Sequence, residues 1–415
     1  MRALIGAYAA AVLLAGPAAV FAQSGTIGEI RVHGNYETPD ADVLALSGLT
    51  PGAPATEERI AAAQKALERS GRFADVEVRK RFRSIDDPTD ILVMIIVKEH
   101  PGVSDDDLTP GPFKRLRALQ QWFPILDYTD GYGLTYGART TFSGVAGRDT
   151  RLSIPLSWGG ERRAAAELER TFDSGPLSVA RGSLFVNRRV NPHYEQSDVR
   201  VGVRLGAEKA LTPWLRAGAD GRVERVDFGG VGGVRHSAIG AHVTFDTRID
   251  PSFPRNAVFT QLGWERVAFA SGSAGRTLLD ARGFIGLFGS PVLALRAQAA
   301  RADAALPPAE QPLLGGGSTV RGYRAGNRVG DSLAAVSAEL RVPLTSPLNF
   351  GRFGVKAFVD AGTVWSAGQR LADQPWDRGI GGGVFFGASV LTLDIDLAWP
   401  ERGNPRASFS LGVRF

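Results

Sequence analysis

Between residue 119 and residue 415, apolar and polar side chains alternate over segments of about ten residues, and Gly, Pro, Asp and Asn separate the segments. Successive strand side chains point to opposite faces, so this rhythm predicts strands with one apolar and one polar face. Strands are expected near 120–128, 131–142, 149–158, 161–172, 177–189, 197–208, 214–227, 233–247, 256–270, 276–288, 291–302, 332–344, 353–365, 378–388, 390–399 and 405–415. That makes about sixteen, an even number, as closed barrels in membranes require. The pattern is clearest at the C-terminus. Leu391, Leu393, Ile395, Leu397 and Trp399 share one face, with Thr392, Asp394, Asp396 and Ala398 on the other. Asp394 and Asp396 read as a solvated lumen face. A soluble sandwich would alternate in the same way. A secretion signal, and aromatic residues near strand ends (Trp365, Trp399, Phe415), favour the membrane, because rings settle at its interface.

The connections refine this picture. Asp130-Gly131 reads as a tight hairpin turn. Asp246-Thr247-Arg248, Asp250-Pro251 and Phe253-Pro254-Arg255 make a charged, Pro-stiffened turn whose expected role is to set register. Residues 303–331 form a connection far longer than a hairpin needs, which marks it as functional. Within it, Leu313-Leu314-Gly315-Gly316-Gly317-Ser318-Thr319-Val320-Arg321-Gly322-Tyr323-Arg324 cannot hold a pleat, because three glycines lose backbone entropy and bring no side chain to pack. The loop is read as folding back into the barrel mouth, with Arg321 as its buried tip.

Residues 25–101 follow a different rhythm. Thr26 to Val32 alternates and stops at Gly34-Asn35, a strand and a turn. Thr38-Pro39-Asp40 predicts a short helix with Thr38 as its cap and Pro39 in its first turn, ending near Gly48. Thr56 is expected to cap a second helix, which starts with Glu57 and Glu58, buries Ile60, Ala63 and Leu67, and stops at Gly71. Asp75 to Phe82 and Asp90 to Glu99 are two further strands, and the nearly continuous apolar run Ile91–Val97 should be the buried one. The order is β-α-α-β-β. Residues 102–118, with Ser104–Asp107, Pro110-Gly111-Pro112 and Lys114-Arg115-Leu116-Arg117, read as a linker.

Composition narrows the function. Arg2, the apolar run from Ala3 to Ala19 and the small-residue site Val20-Phe21-Ala22 make residues 1–22 a secretory signal; the run is too rich in alanine for a spanning helix. The net charge of +5 falls to +4 when Arg2 is removed, too mild to point to nucleic acid. With no cysteine, disulfides, thiolate metal sites and cysteine nucleophiles are excluded. The five histidines (His33, His100, His193, His236, His242) lack metal spacing and no G-x-S-x-G elbow occurs, so no enzyme, metal or cofactor is expected.

Several features occurring together carry a resemblance. The loop bears Gly316, Gly317, Val320, Arg321, Gly322 and Tyr323; the strand Phe358-Val359-Asp360-Ala361-Gly362-Thr363-Val364-Trp365 follows; and the chain closes on Phe415. These resemble the outer-membrane protein insertase superfamily of BamA/TamA type. Gly34-Asn35, the passage Leu67…Gly71-Arg72-Phe73…Val76-Val78 and the closing Val97-Lys98-Glu99-His100-Pro101 resemble a POTRA domain. The resemblance implies a sixteen-strand outer-membrane barrel of a Gram-negative bacterium with a periplasmic POTRA module. It implies that Arg321 pairs with lumen carboxylates, and alternation turns Glu339 and Asp360 inward on consecutive strands. It implies that Phe415 is the C-terminal assembly signal. The implied function is insertion or export of unfolded outer-membrane or secreted polypeptides by strand-edge templating, in contact with outer-membrane lipid and with periplasmic or lipoprotein partners. Two readings of the POTRA edge at Val76–Arg83 stand: a surface that receives an extended peptide, or a spacer blunted by Arg79, Lys80, Arg81 and Arg83. The chain has room for one POTRA module where insertases of this type carry several, and the two-partner secretion branch usually has two and a plug helix. A two-partner-type secretion channel, or a passive pore or surface antigen, is the alternative.

Overall fold

The computed structural model describes residues 25–415 except 36–37, 71, 85–86, 100–119, 146, 148, 347–350, 389–390 and 414–415. The expected signal (1–22), the linker (102–118), the stop at Gly71 and the terminal Phe415 therefore lie outside the described residues.

The N-terminal domain is built from β1 (Thr26–His33), α1 (Asp40–Ser47), α2 (Glu57–Arg69), β2 (Phe73–Phe82) and β3 (Asp90–Glu99), with sheet order β1-β3-β2. β3 runs parallel to β1 and antiparallel to β2. Its central place explains its apolar run: Ile91, Val93, Ile95 and Val97 are all buried. α2 lays Ile60, Ala63 and Leu67 into the same core, and Thr56 Oγ1 accepts the Arg59 N–H (3.3 Å) as a cap should. The α1 cap differs from expectation. Pro39 is extended (ψ 145°) and its carbonyl accepts from Asp42 N, so Pro39 holds the cap position and Thr38 lies outside the helix. Gly48 closes α1 in the left-handed region (φ 64°). β2 is a sheet edge, as its sequence suggested.

The second unit is a closed barrel of sixteen antiparallel strands. In chain order they are β4 (Gln120–Thr129), β5 (Gly133–Ser143), β6 (Thr150–Gly159), β7 (Glu161–Thr171), β8 (Val179–Asn191), β9 (Gln196–Thr212), β10 (Leu215–Phe228), β11 (Val234–Asp246), β12 (Ala257–Phe269), β13 (Gly272–Gly286), β14 (Val292–Ala302), β17 (Ser332–Thr345), β18 (Gly351–Trp365), β19 (Asp377–Ala388), β20 (Leu391–Pro400) and β21 (Arg406–Val413). Two short strands, β15 (Leu313–Leu314) and β16 (Arg328–Val329), pair with each other inside the long connection. The outward face carries Tyr136, Trp158, Leu184, Leu205, Ile239 and Trp264, each more than half exposed. An apolar belt of that extent is stable against lipid rather than water. Trp399 belongs to it, but Trp365 does not: it is buried, with Gly330 pressed against its backbone and its carbonyl accepting from Asp331 N.

The charged turn after β11 does more than set register. Ile249 packs against the core of the N-terminal domain, and Asp250 Oδ2 lies 2.9 Å from Arg352 Nη1, whose Nη2 reaches the Phe82 carbonyl at 3.4 Å. This is the domain end of the barrel. The long connection covers the opposite, loop end.

The closure is uneven. Neighbouring strands elsewhere pair along most of their length, for example Leu215–Phe228 of β10 against β9. Among the described residues the last strand registers on the first only at Leu411↔Tyr128 and Gly412↔Asp127. Pro124 sits within β4, a position proline takes on an edge because it has no N–H to give to a ladder.

Candidate functional site in the barrel lumen

The loop's path is set by its glycines. After β15 the chain turns through Gly315 (φ 103°) and Gly316 (φ 78°), conformations that side chains disfavour. A Cβ on Gly316 would also meet Ala325 at 2.9 Å and Asp130 at 3.0 Å. Gly316 N–H donates to the Tyr323 carbonyl (3.0 Å), which folds the tip into a compact hairpin. Gly317 has open space around it and no left-handed backbone. Val320 is fully buried against Leu314, Leu333, Ala335 and Val364, with Tyr323 packed alongside, and this apolar plug seats the tip. Gly322 is in the left-handed region (φ 94°), and a Cβ there would meet Trp399–Pro400 at 3.0–3.3 Å, tighter than side chains normally pack.

Arg321 then points into the lumen, 7% exposed. Its Nε and Nη2 donate to the two oxygens of Asp360 (2.7 and 2.8 Å), a bidentate pair, and its backbone N–H adds a third bond to Asp360 (3.0 Å). Nη1 donates to Glu339 (2.5 Å) and lies 3.4 Å from Asp396. Ser337 Oγ accepts from Nη2 and donates to Asp360. The guanidinium carbon stands 3.3 Å from the centre of the Phe358 ring, so a cation–π face closes the remaining side. The structure brings Arg321, Glu339 and Asp360 together. The reading of Asp394 and Asp396 as a solvated face is corrected for Asp396, which is buried; Asp394 stays about one-third exposed (32%), and the buried Lys356 lies 2.5 Å from Asp394 and 2.9 Å from Asp396. On β19, Gly379 and Gly381 make room for the Arg321 carbonyl and the Phe358 ring.

A second anchor was not anticipated. Glu310, in a single 3-10 turn (Pro308–Glu310), is buried in the lumen. Arg200 Nη1 (3.2 Å) and Arg222 Nη2 (3.0 Å) donate to its carboxylate, His236 Nδ1 lies 3.3 Å away and Arg276 Nη2 3.6 Å. Arg276 also donates to the Glu310 carbonyl, and Arg200 to that of Ala309. The signal was present in the sequence: Glu310 is the only acid between Asp303 and Asp331, and the three arginines sit at polar positions of expected strands. The loop is thus fixed to β9–β13 by Glu310 and to β17–β20 by Arg321. A lumenal cavity of about 760 Å³ remains against β4–β8, lined by Ile125 and Asp127 of the first strand and by Arg139, Glu161, Arg163 and Glu167.

The comparisons agree with this architecture. A family model for the Omp85 superfamily domain matches residues 146–415, and one for the POTRA domain (surface antigen variable number repeat) matches residues 25–100. No curated protein matches the chain. Among solved structures, BamA from Haemophilus ducreyi lacking POTRA domains 1–3 is 15% identical, with a TM-score of 0.61, covering 94% of this chain and 84% of that one. CdiB from Acinetobacter baumannii is 12% identical (TM-score 0.52; 94% of this chain, 74% of that). CdiB from Escherichia coli is 14% identical (TM-score 0.50; 94% and 90%).

Proposed function

The chain belongs to the Omp85 superfamily, and from that premise we propose that it assembles or translocates client polypeptides at the outer membrane by lending them a strand edge, with the N-terminal domain in the periplasm. The observation that carries this is the seam. β21 and β4 hold each other at two registered positions among the described residues. In lipid every unpaired strand edge is costly, so a seam this thin is maintained at a cost and is ready to exchange its partner for another strand. A client strand adding to that edge gains a ladder by the same hydrogen bonding that closes the barrel. The cavity beside β4 gives an extended chain a polar approach from the lumen side. The POTRA edge at β2 offers a second place for an extended segment to add.

A two-partner-type secretion channel is the second reading, and the free cavity favours it, because a secreted chain would thread there. The two anchors weigh against a passive open pore, since they hold the loop across the mouth. The test is client folding in liposomes. The purified protein is expected to accelerate folding of an unfolded small outer-membrane barrel, and both Arg321→Ala and removal of residues 23–101 to reduce that acceleration. Steady ionic conductance without acceleration would leave the channel reading in place.

A further inference from the structure

Outward-facing charge in this barrel is distributed unevenly. Glu161, Arg163, Arg189, Arg222, Glu224, Glu265 and Arg276 line the lumen or its anchors, so strand alternation turns Arg162, Arg188, Arg225, Arg235, Arg266 and Arg301 outward. All six are exposed. Each lies within three residues of the loop end of its strand: β7, β8, β10, β11, β12 and β14 in turn. They form one row around neighbouring strands. Arg162 is registered directly on Arg188, and Arg225 directly on Arg235. β9 fills the space between these pairs with Val199 and Val201. From β7 to β14 the row crosses seven inter-strand gaps of about 4.8 Å, roughly 34 Å in all.

Within the protein this row is poorly compensated. Among the described residues, Arg266 donates to Ser273 Oγ (2.7 Å) and approaches a carboxylate, Asp303, only at 4.0 Å, and Arg188 donates to Ser197 Oγ. Asp227, the acid on the same face, accepts Gly232 N–H instead. Like charges registered directly opposite one another repel, and an arginine facing lipid is costly except at the interface. An anion supplied from outside removes both costs. Arginine rather than lysine at every position favours oxyanions such as phosphate, because the planar guanidinium fork can donate to two of its oxygens at once.

We propose that this row is a binding surface for phosphate-bearing lipid headgroups in the leaflet at the loop end, which is the outer leaflet if the orientation argued above holds. Lipid held along β7–β14 would fix that wall of the barrel and leave the β4/β21 seam, on the other side, as the part free to move.

The test is titration of the folded full chain in detergent with bis-phosphorylated lipid A, with its dephosphorylated form, and with phosphatidylglycerol, bound lipid being counted by native mass spectrometry. Working in detergent separates this test from the direction the barrel faces and from any handling of polypeptides. The proposal expects retention of the bis-phosphorylated lipid, weakened on the order of tenfold or more in the variant R162Q/R188Q/R225Q/R235Q, since each basic side chain near an anionic surface contributes appreciably. The same four positions changed to Lys should keep part of the binding but fall short of wild type, because a point charge cannot bond two phosphate oxygens at once, and R170Q, an outward arginine at the domain end, should leave it unchanged. Equal retention by the wild type and the folded four-Gln variant, or equal retention of the dephosphorylated lipid, overturns the proposal. Stronger binding of phosphatidylglycerol than of the phosphorylated glycolipid would overturn the outer-leaflet assignment. If the four-Gln variant does not fold, the paired variants R162Q/R188Q and R225Q/R235Q take its place with the same criteria.

Discussion

Arg321 brings its charge into a wall that already holds Glu339, Asp360, Asp394 and Asp396 with Arg341 and Lys356. Removing it leaves four carboxylates facing two cations, with Asp360 buried and stripped of its bidentate partner. Breaking a buried pair in this way costs about 3–5 kcal/mol. Arg321→Ala is therefore expected to lower the temperature at which the folded barrel loses its compact gel mobility. Arg321→Lys should recover less than half of that loss, because a point charge cannot bond both Asp360 oxygens. Glu310 acts at the other anchor. Glu310→Gln should weaken loop docking by about 2 kcal/mol and expose 303–331 to protease, with the Arg321 cluster intact and the barrel still formed. Equal protease resistance in both proteins would show that Glu310 does not hold the loop. The Arg321 site was legible because a side chain's inward or outward parity is fixed by strand alternation, so Glu339 and Asp360 could be placed without coordinates. Glu310 carried a weaker signal: it is the lone acid between Asp303 and Asp331, but no sequence motif marks it, and only the folded loop brings it to Arg200 and Arg222.

At the scale of elements, the loop separates glycines that are required from one that is not. Gly316→Ala and Gly322→Ala place a Cβ in the left-handed region, at about 1–2 kcal/mol each, and push it against Ala325 or the Trp399–Pro400 backbone. Gly317→Ala meets nothing and should stay within about 0.5 kcal/mol of wild type. Urea midpoints of the three variants in one detergent decide this ordering. The strands were readable to within a few residues from alternation alone, from β4 to β20. What alternation could not reveal was accommodation. Gly379 and Gly381 read as ordinary weak points of a strand, yet Gly379 is the recess that receives the Arg321 carbonyl of the loop tip, and Gly381 makes room for the Phe358 ring beneath the guanidinium. The α1 cap was misplaced by one residue for a related reason: composition names the residues near a helix start, and the ψ of Pro39 decides which carbonyl opens it.

At the scale of the molecule, two anchors hold the loop against the β9–β20 side, while the cavity and the thin seam lie together on the β4–β8 side. The barrel thus has a braced wall and a wall able to open. Barrel closure was legible from the number of strands, but the thinness of its closure was not, because register between the first and last strands depends on the shear of the whole sheet. On the proposed function this seam opens to act. The native chain has no cysteine, so the double variant D127C/G412C carries a single possible disulfide. Its two positions are registered neighbours across the seam, within the Cα separation that a disulfide spans. The decisive measurement is client-barrel folding in liposomes by this variant, oxidised and then reduced. The oxidised protein is expected to lose its acceleration of folding and to regain it on reduction. Equal acceleration with the seam locked would contradict the proposed opening.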